Sequence, residues 1–373
     1  MAIYKFAFPT PIHFGPGARK LVAEHLSGAG CKRPLIVTDK GLAALPVLAD
    51  FRAALAALEV GVYSGVHGNP VASQVRAGVA AYRAHHADAV IGFGGGAALD
   101  VAKVVALMAA HPGDVLEYAW DHPKVRPIDQ PLPHFVALPT TAGTGSEVGR
   151  SSVISEDDTH VKRIVFSPAI LAKAVFADPE LTLALPASIT AATGMDALTH
   201  NIESYLSPAY HPLCDGIALE GVRIASRALP VAVKEPGNLQ ARSNMLMASM
   251  MGAIAFQKDL GAVHSCAHAL STVADLHHGL ANGVMIDHVM RFNRPAAEPK
   301  MAELARVAGV ADLVGWLTAL KAELGIPAKL GALGIRHEQV PRLVQIALAD
   351  LCHQTNPRPC SRQDFEQLFA AAL

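Results

Sequence analysis

From about residue 30 to 180, short apolar and β-branched runs alternate with longer segments of helix-forming residues. Residues 34–39 (PLIVTD), 60–66, 89–93 (AVIGF), 134–138 and 174–177 read as buried strands, each bounded by Gly, Pro or Asp. Between them, residues 47–58 and 71–85 carry helix formers at helical spacing. Strands alternating with helices in this way predict a parallel sheet with crossover helices. After Leu185 the strand-like runs nearly vanish, and segments rich in Ala, Leu, Met and Glu follow one another to Leu373. The pattern therefore predicts two domains, an α/β domain over residues 1–185 and an all-helical one over 186–373. Ser188 is the expected N-cap of the first helix of the second domain, which should run through Asp196 and His200 towards Tyr205.

Composition narrows the function classes. The 373 residues are 51% hydrophobic and 17% charged, enough apolar surface to offset chain entropy in two folded cores. A formal net charge of -1 supplies no global field to draw the chain to nucleic acid or to an anionic membrane, so small molecules are the expected partners. The five cysteines are scattered without a C-x-x-C pair and read as free thiols of a reducing, cytoplasmic setting. The first twenty residues lack the basic segment and apolar run of a secretory signal, and no uncharged stretch reaches the roughly 18 residues that span a bilayer.

Two groups of residues carry candidate chemistry. Asp196 and His200 are four apart on a predicted helix, hence on one face and one turn apart. His264 and His268 repeat the spacing in HSCAH, and His277 and His278 follow in LHHGLAN. A carboxylate with neutral imidazoles suits a divalent transition metal, and helix pairs in a bundle are a usual way to gather such groups. Any one such pair is more often ordinary core or surface; it is the recurrence in Gly-rich surroundings that favours a metal. Cys266, about 200° around the helix from His264, should point away. Upstream, Gly94-Gly95-Gly96 closes the AVIGF strand and opens a helix, where backbone N–H groups and the helix dipole favour a pyrophosphate. Asp39 ends the PLIVTD strand, placed either to accept hydrogen bonds from a ribose or to cap the following turn.

Several long motifs in order, GGGAALDVAK, LPTTAGTGSEV, TGMDALTHNIESY, LGAVHSCAHAL, HHGLANGVMIDHVMRFN and TNPRP, give the chain its resemblance to the iron-containing (group III) alcohol dehydrogenases, over essentially its whole length. The resemblance implies a Rossmann-like N-terminal dinucleotide-binding domain, an all-α metal-binding domain, and a dehydroquinate synthase-like architecture. It implies Asp196, His200, His264 and His278 as metal ligands, with Fe2+ expected and Zn2+ able to occupy the same set. His268 corresponds to the family's non-ligand active-site histidine, and His277 stands where many relatives carry proline. For the dinucleotide it implies Asp39 on the ribose, hence NAD over NADP, and contacts from Asn69, Gly95, Gly96, Ala97, Thr140, Thr141, Thr144 and Lys162. Ala97 replaces a serine common in relatives, which removes one hydroxyl but leaves the backbone donors. The expected activity is hydride transfer between NAD(H) and a small alcohol or aldehyde by a homodimeric enzyme.

Three alternatives compete with this expectation. A lyase of the dehydroquinate synthase type needs clustered basic residues for an anionic substrate, and none cluster between Asp196 and Asn293. A maleylacetate reductase-like enzyme is regarded as metal-independent, which the intact Asp and His set disfavours. A metal or ligand carrier without turnover has no use for the dinucleotide segments.

Overall fold

The computed structural model describes residues 7, 8 and 10–373; residues 1–6 and 9 of the N-terminal segment read above lie outside the described part. The chain divides into two compact units. One holds residues 7–141 and 146–182, the other Ala142–Gly145 and Leu183–Leu373.

The first unit is built from β1 (Ile12–Phe14), α1 (Val22–Gly28), β2 (Pro34–Asp39), α2 (Lys40–Ala43), α3 (Pro46–Ala54), β3 (Gly61–Val66), α4 (Ala72–Ala84), β4 (Ala89–Gly94), α5 (Gly96–Ala110), β5 (His134–Pro139), β6 (Ser151–Ser155), β7 (Lys162–Phe166) and β8 (Ala174–Ala177). Six strands form a parallel sheet in the order β3-β2-β4-β5-β8-β1. On one face Val22 and Leu26 of α1 and Leu48 and Phe51 of α3 pack over Ile36, Ile91, Phe93 and Phe176, with the Phe51 and Phe93 rings stacked 4.8 Å apart. On the other face α5 lies close enough to β4 that a Cβ on Gly92 would press on Leu99 and Ala102.

The five strands expected from sequence are present. The structure adds β1, three residues too short for a periodicity to register, and the antiparallel hairpin β6–β7, whose SSVIS and KRIVF runs are half polar.

The second unit is helical after Leu183: α6 (Ala187–Leu206), α7 (Pro212–Lys234), α8 (Leu239–Ala255), α9 (Ala262–Ala274), α10 (His278–Ala308), α11 (Leu313–Glu323), α12 (Val340–Ala349) and α13 (Arg362–Ala372). Helix α6 is buried along most of its length, packed by α7, α8 and α10. Its N-terminus corrects the sequence expectation. Ser188 sits inside the first turn and caps nothing; Pro186 precedes the helix, and its carbonyl accepts the Thr190 N–H at 2.9 Å and the Thr190 hydroxyl at 3.1 Å. Proline's fixed φ pre-sets the entry to the helix without a side-chain cap. Among the described residues no helix is long and apolar enough to cross a membrane.

Candidate active site

Helix α6 is the axis of a buried polar cluster. Asp196, His200 and Glu203 fall at i, i+4 and i+7, one stripe of the helix, and each is 5% exposed or less. Helix α9 contributes His264 from its first turn, and α10 contributes His278 from its first position. Two glycines permit this convergence. A Cβ on Gly252 of α8 would lie 2.8 Å from His200 Cβ, and a Cβ on Gly279 of α10 would collide with the Ala192 carbonyl and lie 3.1 Å from Asp196 Cβ. Helix backbones therefore approach the Asp196 and His200 stretch of α6 more closely than any larger residue would allow.

Three imidazole nitrogens face one carboxylate oxygen. Asp196 Oδ1 lies 3.9 Å from His200 Nε2, 3.7 Å from His264 Nε2 and 3.5 Å from His278 Nε2. Donor atoms of Asp196, His200 and His264 all fall within 4.8 Å of one another. A tetrahedral site with ligand distances of about 2.1 Å has edges of roughly 3.4 Å, so the spacings around Asp196 are close to those a bound transition metal requires. The donor chemistry fits as well, since neutral imidazole and carboxylate suit Fe2+ or Zn2+. Burial tends to raise the Asp196 carboxyl, but His200, His278 and His264 hold it well below its ordinary range. Burial pushes His200 down to about 4 against the pull of Asp196, which keeps it neutral and able to coordinate. For His264 burial is outweighed by Asp196 and Glu203, and the ring is pushed up to about 9, so a metal taking Nε2 would displace a proton and leave the ring neutral.

Around this centre, Phe256 places its ring 5.3 Å from that of His200. His268 lies one turn beyond His264, stacks on His278 at 5.2 Å, and places Nδ1 2.7 Å from Asp350 Oδ2. His277 is exposed and N-caps α10, accepting the Leu280 N–H through Nδ1 at 3.4 Å. Cys266 is buried, and burial holds its thiol well above the ordinary value.

The sheet unit carries a second constellation. Strand order reverses between β2 and β4, and in open parallel sheets ligands bind beyond the carboxyl ends of the strands at that point. Asp39 ends β2 there, and Gly94, with φ of +154°, ends β4. A Cβ on Gly94 would meet Ala98 Cβ at 2.7 Å and lie 3.5 Å from Asp39 Oδ2. Gly95 is the N-cap of α5 and no side chain caps the first N–H groups of the helix, which begins with Gly96 and Ala97. Asp39 Oδ1 accepts the Leu42 N–H at 2.7 Å and so caps the following turn, while Oδ2 faces the glycine turn.

Thr140 donates its N–H to the Gly94 carbonyl at 3.0 Å, and Thr141 lies against Gly95. Asn69 sits in the loop after β3; the next carbonyl, Pro70, accepts the Ser155 N–H, and Ser155 pairs with Lys162 across the β6–β7 hairpin. Asn69 and Lys162 are thus brought into one neighbourhood by backbone pairing. Thr144 belongs to the short segment Ala142–Gly145 that clusters with the helical unit, where the Gly143 carbonyl accepts the Ser249 hydroxyl at 3.0 Å.

With this geometry in place, comparison with known proteins is decisive. Residues 9–179 match the family described as iron-containing alcohol dehydrogenase, and residues 190–373 match the C-terminal part of the Fe-containing alcohol dehydrogenase family. The chain belongs to the iron-containing alcohol dehydrogenase family. It is 38% identical to a 4-hydroxybutyrate dehydrogenase of Cupriavidus necator over 98% of both chains, and 36% identical to a 1,3-propanediol dehydrogenase of Klebsiella pneumoniae over 100% of this chain and 99% of that one. The crystal structure of a 1,3-propanediol oxidoreductase superposes with a TM-score of 0.94 at 36% identity, covering 100% of each chain.

Three residues hydrogen-bonded to this candidate site carry no strong signal in the sequence. Glu203 is legible in hindsight as the third member of the Asp196 and His200 stripe. Asn282, four residues after His278, donates from Nδ2 to Asp196 Oδ1 at 2.7 Å. Asp350, 82 positions from His268, carries no local signal at all. Its carboxyl is raised by burial but brought well below the ordinary range by His268, Ser265 and the Cys352 N–H. The TNPRP motif latches α9: Asn356 Oδ1 accepts the Ala262 N–H at 3.2 Å, and Thr355 Oγ1 donates to the Leu260 carbonyl at 2.8 Å.

Proposed function

We propose that the protein is a metal-dependent oxidoreductase that moves a hydride between NAD(H) and a small alcohol or aldehyde, with Asp196, His200, His264 and His278 holding Fe2+. The observation that carries this reading is the convergence of three Nε2 atoms on Asp196 Oδ1 at 3.5 to 3.9 Å. When bound, the metal supplies Lewis-acid polarisation of a substrate oxygen, and the nicotinamide supplies the hydride chemistry.

The chain's own residues hold and orient. The ligand histidines present Nε2, and Phe256 beside His200 keeps an apolar wall against water. His268, tied through Nδ1 to Asp350, presents its other ring nitrogen to take or return the substrate's hydroxyl proton. In the sheet unit the Gly95–Gly96–Ala97 turn cradles the pyrophosphate on backbone N–H groups, Asp39 accepts from the adenosine ribose and repels a 2′-phosphate, and Asn69, Thr140, Thr141, Thr144 and Lys162 complete the dinucleotide contacts.

The named relatives act on a hydroxy acid and a diol, so a substrate panel should span short primary alcohols, diols and 4-hydroxybutyrate. A homodimer in the cytoplasm completes the reading. Five free cysteines support the reducing compartment, and Phe14, 40% exposed on edge strand β1, supports a covered sheet edge.

The test is Asp196→Ala. Metal content by mass spectrometry and NADH formation by absorbance should be lost together. A variant that kept stoichiometric metal would overturn the assignment.

A further inference from the structure

Glu203 is 2% exposed, and among the described residues no Lys or Arg pairs with it. Its two oxygens are instead taken up by the first turn of α9. Oε1 accepts the Val263 N–H at 2.7 Å; Oε2 accepts the His264 N–H at 3.4 Å and lies 2.6 Å from His264 Nδ1. The loop before α9 makes room for this. A Cβ on Gly261 would meet Glu203 Oε1 at 2.6 Å and Asn356 Oδ1 at 2.9 Å.

We infer that Glu203 is a positioning residue for the metal centre, fixing His264 as the tautomer protonated on Nδ1 so that the Nε2 lone pair is turned towards Asp196 and the cation. This rests on the ligand set proposed above. The physical reason is that an ionised carboxylate only accepts hydrogen bonds. A ring nitrogen 2.6 Å from it must carry the proton, and in a neutral imidazole the other nitrogen is then bare. Carboxylate partners of ligand histidines fix ring orientation and raise ligand basicity in just this way. Charge points in the same direction. Two buried carboxylates, Asp196 and Glu203, offset a divalent cation held by neutral imidazoles, whereas a buried carboxylate without a cation is costly.

Glutamine is nearly isosteric but cannot replace this group. With its one acceptor oxygen on the Val263 N–H, its amide N–H2 faces Nδ1 and drives the ring proton to Nε2, towards the metal. Turned round, it sets N–H2 against the Val263 N–H.

The test compares wild type, Glu203→Gln, Glu203→Asp and Asp196→Ala, each loaded with Co2+ or Zn2+. Affinity is read by competition with a chromophoric chelator, and ligand geometry by the visible absorption of the Co2+ protein. Glu203→Gln should bind metal about 10- to 100-fold more weakly with an altered Co2+ spectrum, and Glu203→Asp should recover part of both. Wild-type affinity and spectrum in Glu203→Gln would overturn the inference, even with a lowered melting temperature, because that pattern marks a helix cap alone. Undiminished metal in Asp196→Ala would instead sink the ligand set itself. Should Glu203→Gln fail to fold, long-range 1H–15N spectra of zinc-loaded wild type decide: a His264 Nδ1 proton shifted strongly downfield, as a short hydrogen bond to a carboxylate requires, supports the inference, and one at the ordinary imidazole position overturns it.

Discussion

Asn282 donates from Nδ2 to Asp196 Oδ1 at 2.7 Å, from a side chain with no exposed surface. The same nitrogen lies 3.2 Å from His278 Nε2 and 3.3 Å from His264 Nε2. One amide thus touches three of the four proposed ligands and aims the Asp196 lone pairs. Removing such a partner typically costs about 10- to 100-fold in metal affinity. Asn282→Ala should show that loss in a chelator competition while its far-ultraviolet circular dichroism stays native; unchanged affinity would leave Asn282 a packing residue.

His268 and Asp350 form a hydrogen-bonded dyad beside the proposed ligand His278. If they move a proton, their loss should reduce turnover and spare the metal. His268→Ala should lower kcat by about 100-fold or more with metal content at the wild-type level, and Asp350→Asn should lower it less. Metal loss in His268→Ala would move that residue into the ligand set.

Asp39 has one oxygen on the Leu42 N–H and the other at the Gly94 turn. Substitution therefore mixes two effects, loss of a cap worth about 1 kcal/mol and loss of a charge that repels a phosphate. Asp39→Asn separates them, because an amide oxygen can still cap the turn. Catalytic efficiency with NADP relative to NAD should rise in both Asp39→Asn and Asp39→Gly, with a lower melting temperature only in the glycine variant. A ratio that does not move in either removes Asp39 from cofactor selection.

Away from the site, Lys321 of α11 donates to Asp287 Oδ1 and to the Val284 carbonyl, each at 2.6 Å, and Thr318 donates to Asp287 Oδ2. Both charged groups are nearly buried. Lys321→Met takes the lysine from a buried carboxylate and should cost about 3–5 kcal/mol in chemical denaturation near neutral pH. Burial tends to raise the Asp287 carboxyl, but Lys321, His288 and Thr318 bring it below its ordinary value. A lowered native value means the pair's contribution is whole above about pH 4 and fades as pH falls through the native value. The gap between wild type and variant should narrow in acid; a gap independent of pH would show that packing alone is lost.

Much of this organisation could be read from the chain itself. Alternation of apolar runs and helix formers specified the parallel sheet because both are local periodicities. The glycine turn after β4 was legible because only glycine fits φ of +154° beside Ala98. Asp196 and His200 were paired by helical spacing alone. Tertiary structure decided everything that joins distant segments. It set His264, His278 and Asn282 around Asp196, gave Glu203 to His264 and Asp350 to His268, slid β1 in beside β8, and drew Ala142–Gly145 into the helical unit. Those contacts depend on how closely helices can pack at Gly252 and Gly279, and interhelical distance is a property of two surfaces meeting. A residue's neighbours along the chain encode its own helix or strand, but not which carboxylate will fill the space across from it.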